Sequence, residues 1–110
     1  MPKAIYHKLT ESLIKASEAA KKAAESIDDG GTANLDSVFL MIPRAREDKV
    51  LEAISNAKLR CFGRTQWIGS GFLIDPPVVG QGNKRAKAMV AMKDSLAGDG
   101  WSVLGFYKMD

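Results

Sequence analysis

The sequence predicts an α+β domain of the ferredoxin-like type, a split βαββαβ arrangement in which two helices lie on one face of a four-stranded antiparallel sheet. Two observations support this prediction. After residue 36 the hydrophobic pattern follows the order strand, helix, strand, strand, helix, strand. The connections are short, with glycine or proline at most of the points where the chain must turn. An extra helix precedes the domain, so we divide the chain into an N-terminal helix (1–29), a linker (30–36) and the α+β domain (37–110).

The composition is that of an ordinary globular protein. Of the 110 residues, 45% are hydrophobic and 26% are charged, which is enough for one hydrophobic core. No apolar run approaches the roughly 20 residues that span a membrane, and the N-terminus lacks a signal-peptide core. The only cysteine, Cys61, excludes an internal disulfide and is expected to be a small apolar strand residue. We therefore expect a cytoplasmic protein that does not bind a membrane.

The first helix is predicted over residues 3–27, where apolar residues recur at helical spacing between lysines and glutamates. Beyond Leu13 its apolar stripe is mostly alanine, which buries little area but allows another backbone to approach closely. Such a helix is marginal by itself in water. We expect it to dock, either over the open face of the sheet or on a second copy of the chain in a homodimer.

The first strand is predicted over residues 37–42, SVFLMI, and apolar residues on both of its faces indicate a central position in the sheet. Pro43 ends this strand and precedes a helix predicted over residues 44–58. Glu47 and Asp48 fall in the first turn of that helix, where the helix dipole favours acids.

Two further strands are predicted over residues 59–64 and 67–75, with Arg64, Thr65 and Gln66 forming the turn between them. The last strand is predicted over residues 101–109. Glycines flank the intervening helix, namely Gly80 and Gly82 before it and Gly98 and Gly100 after it. Asn83 is a suitable N-cap, so this helix is predicted to begin at Lys84 or Arg85.

The glycine-rich turn before this last helix is the strongest functional signal. Lys84, Arg85 and Lys87 lie in the first turn, where cations are unfavourable against the helix dipole unless an anion is nearby. Unpaired backbone N–H groups also converge at a helix start, which makes it a natural anion site. Arg60 and Arg64 add further phosphate contacts. The predicted nucleic-acid or anion site comprises Arg60, Arg64, Gly80, Gly82, Asn83, Lys84, Arg85 and Lys87.

Positive charge is concentrated in the predicted domain. Residues 1–36 carry five lysines and six acids, whereas residues 37–110 carry eleven lysines or arginines and seven acids. The net charge of the whole chain is +3. Mild basicity of this kind permits contact with nucleic acid or with an acidic protein surface.

Catalytic patterns are missing from the sequence. The only histidine, His7, is predicted on a surface face of the first helix, far in sequence from the only cysteine. Asp28 and Asp29 precede two glycines without the spaced oxygen ligands of a calcium loop. The glycine-rich turn lacks the lysine and hydroxyl residue of a P-loop and completes no dinucleotide fingerprint. We predict a protein that is not an enzyme and has no metal or cofactor.

Two binding functions remain. The leading prediction is a small regulator that contacts nucleic acid through the basic turn, with bases stacked on aromatic residues of the sheet. The candidates for stacking are Phe39, Phe72, and Trp101 or Tyr107, although Phe39 and Phe72 are also natural core residues. The alternative is an inhibitor or accessory regulator, of the type encoded by mobile elements, that binds a nucleic-acid-processing protein. The position of the first helix discriminates between these two functions. A helix over the open face of the sheet would block the stacking of bases there and favour the inhibitor.

Overall fold

The computed structural model of the protein describes residues 3–25, 36–77 and 83–107. Its elements are α1 (Lys3–Ala24), β1 (Ser37–Met41), α2 (Glu47–Asn56), β2 (Arg64–Gln66), β3 (Ser70–Ile74), α3 (Asn83–Gly98) and β4 (Ser102–Phe106). The strands form one antiparallel sheet in the order β2-β3-β1-β4. This is the ferredoxin-like arrangement preceded by an extra helix, so the predicted fold class is confirmed.

The central strand is β1, which pairs with β3 on one side and β4 on the other. Its side chains alternate between the two faces of the sheet, as the period of two in a strand requires. Val38 and Leu40 belong to the main core cluster, together with residues of all three helices. We call this helix-covered side the inner face. Phe39 points to the opposite side, which we call the outer face.

The first helix, α1, packs against α3 and α2 on the inner side of the sheet. Leu9, Leu13 and Ala16 are fully buried in this contact, and the Thr10 hydroxyl donates a hydrogen bond to the carbonyl of Ala53 in α2 at 3.1 Å. The helix therefore does not lie over the outer face. A homodimer through α1 stays a prediction, and it would have to use the exposed, charged side of the helix.

The hairpin between β2 and β3 differs from the prediction. Residues 64–66, predicted as the turn, form strand β2, and the turn follows at residues 67–69. Gly69 makes this turn with a φ of 122°, a conformation that favours glycine, and the Trp67 N–H donates to its carbonyl at 3.0 Å. Trp67 was predicted to begin a strand, but its ring folds back over the outer face. Strand periodicity could not reveal that contact.

Several predicted boundaries are also corrected. The second helix begins at Glu47 rather than residue 44, because Arg44 has a φ of 67° and belongs to a turn. The third helix already includes Asn83, the predicted N-cap. The last strand covers Ser102–Phe106 rather than residues 101–109. The predicted linker at 30–36 lies outside the described residues except for its last residue. No helix in the described ranges is both long and apolar enough to cross a membrane.

Candidate functional site

The predicted basic cluster is divided by the fold, and Arg85 takes a structural position. Its guanidinium donates to the Asp36 carbonyl at 2.8 Å, to the Ser37 hydroxyl at 3.4 Å and to the Asp75 carboxylate at 3.2 Å. Only 14% of the side chain is exposed. These bonds hold the start of α3 against the end of β3 and the start of β1. The unfavourable interaction of Arg85 with the helix dipole is therefore offset in part by the Asp75 carboxylate.

Arg64 lies on the opposite face of the sheet from Asp75. It is paired with Phe72 across β2 and β3, so its side chain points to the inner face. Its guanidinium donates to the Ala45 carbonyl at 2.8 Å and lies 5.5 Å from the centroid of the Phe72 ring. A guanidinium held by a carbonyl and an aromatic ring serves to attach the edge strand to the core.

The remaining residues of the predicted turn are only partly described. Gly80 and Gly82 lie outside the described residues. Asn83 and Lys87 are exposed at the start of α3, and Lys84 is half-buried. Anion binding by the glycine-rich turn therefore stays a prediction.

Arg60 and Asp75 form the centre of the polar site. The Arg60 Nε lies 3.3 Å from Asp75 Oδ2, and the Asp75 N–H donates to the Arg60 carbonyl at 3.1 Å. The Ser37 hydroxyl and Arg85 both donate to Asp75 Oδ1. Because Arg60 is largely exposed and its guanidinium lies 5.3 Å from the centroid of the Phe62 ring, it offers a cation beside an aromatic face.

These side chains border a depression of about 550 Å³ on the outer face of the sheet. Phe62, Leu73 and Phe106 provide its apolar lining, and Arg60 and Arg85 contribute positive charge. The Asp75 carboxylate and the Ser37 and Thr65 hydroxyl groups add polar atoms. An open depression of this kind, apolar with a few polar groups, can hold a flat aromatic ligand that carries a negative charge.

An aromatic cluster supports one side of this depression. Trp67 packs edge-to-face between Phe39 at 5.1 Å and Phe106 at 4.9 Å between ring centroids. Gly71 makes room for the cluster, because a Cβ there would lie 2.5 Å from Phe39 Cζ. Phe39 is fully buried and cannot stack on a ligand, whereas Trp67 is 40% exposed.

The aromatic residues differ from those predicted for stacking. Phe72 is buried in the core on the inner face, and Trp101 packs against that core. Tyr107 is exposed, with its ring beside Gly105 on the inner side. The residues that sequence reasoning missed are Phe62, Trp67 and Phe106. The position of Trp67 depends on the hairpin turn, and the Gly69-Ser70-Gly71 break inside the strand predicted over residues 67–75 was the sequence signal for that turn.

The described residues show no arrangement for catalysis. His7 pairs with Glu11 at 3.1 Å on the exposed surface of α1. Burial raises the pKa of the Cys61 thiol, and the nearby acids Asp75 and Glu47 raise it further, outweighing the opposing hydrogen bond to Gly63. A protonated thiol is a poor nucleophile. No group of three or more His, Cys, Asp or Glu side chains within the described ranges could hold a metal ion. The absence of enzymatic activity stays a prediction.

Comparison with known proteins found no matching protein-family model, no matching curated protein and no matching solved structure.

Proposed function

We propose that this protein binds single-stranded nucleic acid on the outer face of its sheet, without catalysing a reaction. The observation that carries the proposal is the depression beside Phe62, whose side chain is 89% exposed next to the Arg60 guanidinium. Exposed aromatic rings on an open sheet stack on unpaired bases, and neighbouring cations hold the phosphates. The position of α1 supports the proposal, because the helix leaves this face uncovered.

Each part of the depression has a role in this proposal. Phe62 stacks on one base, and Phe106 and Leu73 provide an apolar floor for the sugar or the next base. Arg60 contacts a phosphate, with the Thr65 hydroxyl as a further hydrogen-bonding group. The basic residues at the start of α3 extend the phosphate path toward the predicted glycine-rich turn.

A single strand is favoured over a duplex, because the bases of a duplex are stacked on each other and cannot reach Phe62. The depression carries two arginines and one carboxylate, and both arginines already contact that carboxylate. Binding therefore depends more on stacking than on charge. We expect a salt dependence that corresponds to one or two phosphate contacts, about −0.7 in log K against log salt for each.

The test is fluorescence-polarisation binding of labelled single- and double-stranded oligonucleotides over a salt series. Phe62→Ala is expected to weaken single-strand binding by about 5- to 150-fold, the loss of one stacked base. Arg60→Gln is expected to reduce the salt slope by about 0.7. Two variants are matched controls. Tyr107→Ala removes an exposed aromatic ring on the inner side, and Lys21→Gln removes a lysine on the exposed surface of α1. Both controls should retain wild-type binding.

The proposal is overturned if wild-type protein binds no single strand at low salt, or if Phe62→Ala binds as tightly as wild type. In either case the second candidate, a protein-binding regulator, gains support. Ile68 favours that candidate, because it is 64% exposed close to the aromatic cluster and an aliphatic side chain is better suited to a protein interface than to a base. A protein complex weakened by Ile68→Ser, with oligonucleotide binding unchanged, would indicate the second function.

A further inference from the structure

The two edges of the sheet differ in how they are protected. Edge strands normally carry charges, prolines or bulges, or are very short, because their unpaired backbone groups invite pairing with another chain. At one edge, β2 has three residues and includes Arg64. At the other edge, β4 has five residues, SVLGF, with neither charge nor proline, and among the described residues it pairs only with β1. Within the described ranges, the outward edge of β4 therefore carries no further strand.

We propose that β4 pairs in antiparallel orientation with β4 of a second copy of this chain. The resulting two-fold dimer joins two four-stranded sheets into one continuous sheet. A register centred on Leu104 places this residue opposite its own copy, Val103 opposite Gly105, and Ser102 opposite Phe106. Since the two-fold axis is perpendicular to the sheet, both outer faces lie on the same side.

The strand is compatible in charge with its own copy, which favours a second copy as the occupant. In a two-fold interface, a charge near the axis meets a like charge on the partner, and β4 has none. Val103 and Gly105 are on the inner face and lie opposite each other across the axis. Leu104, which is 39% exposed on the outer face, gains apolar contact with its copy across the axis.

The interface is small, so the dimer is expected to be of moderate affinity. Pairing of one short strand falls at the lower end of protein interfaces, where complexes are often transient. Dimer formation requires no nucleic acid, and it is tested independently of the proposed function.

The experiment is sedimentation velocity of the full chain, with light scattering after gel filtration, from about 1 µM to 500 µM, a range that covers moderate affinities. The wild-type mass is expected to rise with concentration from 11.9 kDa toward twice that value. Leu104→Lys and Leu104→Glu each place like charges opposite one another across the axis. We expect each variant alone to dimerise at least about tenfold more weakly, and an equimolar mixture of the two to recover a heterodimer.

Ile14→Lys is the matched control, because it introduces the same charge at an apolar residue that is 46% exposed on α1. It should dimerise like wild type. The proposal is overturned if wild type stays monomeric over the whole range, if the Leu104 variants dimerise as tightly as wild type, or if mixing them recovers no dimer. Dissociation by Ile14→Lys alone would assign the dimer to α1 instead. Recovery in the mixture also shows that both Leu104 variants are folded.

Discussion

At the scale of single residues, Lys58 shows how a helix end can be hidden in a sequence. It follows α2 with a φ of 62°, a left-handed conformation that is unusual for a residue with a Cβ. The Lys58 N–H donates to the Ser55 carbonyl at 2.9 Å, and the Leu59 N–H donates to the Ile54 carbonyl at 3.2 Å. These two bonds form a Schellman motif, which usually has glycine at the left-handed position.

Gly100 occupies the same position after α3. Its φ is 94°, its N–H donates to the Ala97 carbonyl at 3.0 Å, and the Trp101 N–H donates to the Leu96 carbonyl at 3.1 Å. The two helices therefore end in the same way. From the sequence, both Gly98 and Gly100 were placed after α3, whereas Gly98 is still part of the helix. The end of α2 was placed two residues too late.

Because α2 and α3 end in the same way, substitutions at their left-handed positions are expected to change the free energy of unfolding in opposite directions. Lys58→Gly is expected to raise the free energy of unfolding by about 1 kcal/mol, because glycine adopts the left-handed conformation without strain. Gly100→Ala is expected to lower it by about 1 kcal/mol for the same reason. Urea denaturation of each variant measures both changes.

Gly98→Ala is the control for this prediction. A Cβ at Gly98 meets no atom within 4 Å, and its φ is outside the left-handed region. Alanine there should increase stability by about 0.4–1 kcal/mol by restricting the unfolded chain. If Gly100→Ala stabilised the protein as Gly98→Ala does, the left-handed helix end would be contradicted.

At the scale of elements, an ion pair joins α1 to the end of α3. Lys15 Nζ lies 3.0 Å from Asp99 Oδ1. The hydrogen bond from Lys15, followed by one from Ser12, holds the pKa of the Asp99 carboxyl below its usual 3.8. The folded state therefore favours the ionised carboxylate. The contribution of the Asp99 carboxylate to folding stability is complete above its pKa in the unfolded chain. This contribution is lost as the pH falls through its pKa in the folded protein.

This ion pair predicts a pH-dependent effect of Asp99→Asn. The variant is expected to unfold at a lower temperature than wild type near neutral pH, and the difference should shrink as the pH falls below 3.8. Thermal unfolding followed by circular dichroism over a pH series measures this convergence. Lys15→Gln should converge with wild type in the same range. A difference that stays constant down to the lowest pH would show that Asp99 is not stabilised by Lys15.

At the scale of the whole molecule, α1 completes the hydrophobic core. Its residues Leu9 and Leu13 are fully buried in the same cluster as Met89, Met92 and Leu96 of α3. Replacing one such leucine by alanine typically costs about 2–5 kcal/mol. Removal of the whole helix therefore takes away as much as the total stability of an ordinary domain, about 5–15 kcal/mol.

We accordingly expect a fragment of residues 36–110 to lose cooperative thermal unfolding and near-ultraviolet circular dichroism. It should also bind a hydrophobic dye through the exposed face of α3. The full chain with Leu13→Ala is the milder comparison, and it should remain folded with a lower melting temperature. Cooperative unfolding of the fragment at the wild-type temperature would show instead that the division at residue 36 separates two independent units.

How much of the fold could be predicted depends on how local each signal is. The helical period of α1, the continuous apolar run of β1, the acids that begin α2 and Gly100 after α3 are properties of short segments, and each was identified from the sequence. The predicted boundaries were wrong where contacts between residues far apart in the chain determine the local structure. Residues 64–66 form a strand because β3 pairs with them, and Trp67 leaves the strand because Phe39 and Phe106 receive its ring.

The candidate site was predicted less completely, because a charge in a sequence does not reveal its partner. Arg60 borders the depression on the outer face, and its contact with an anion stays a prediction. The Arg85 guanidinium donates three hydrogen bonds within the protein and that of Arg64 donates one. Phe62, Trp67 and Phe106 were missed.

The sequence by itself determined the fold class, the order of the elements and the central position of β1, because hydrophobic periodicity and turn residues act within a few positions along the chain. Only the tertiary structure decided which side of the sheet α1 covers, which arginines remain available and which aromatic rings line the outer face. Those outcomes depend on contacts between residues far apart in the chain, whose energies are set by packing and hydrogen-bond geometry in three dimensions.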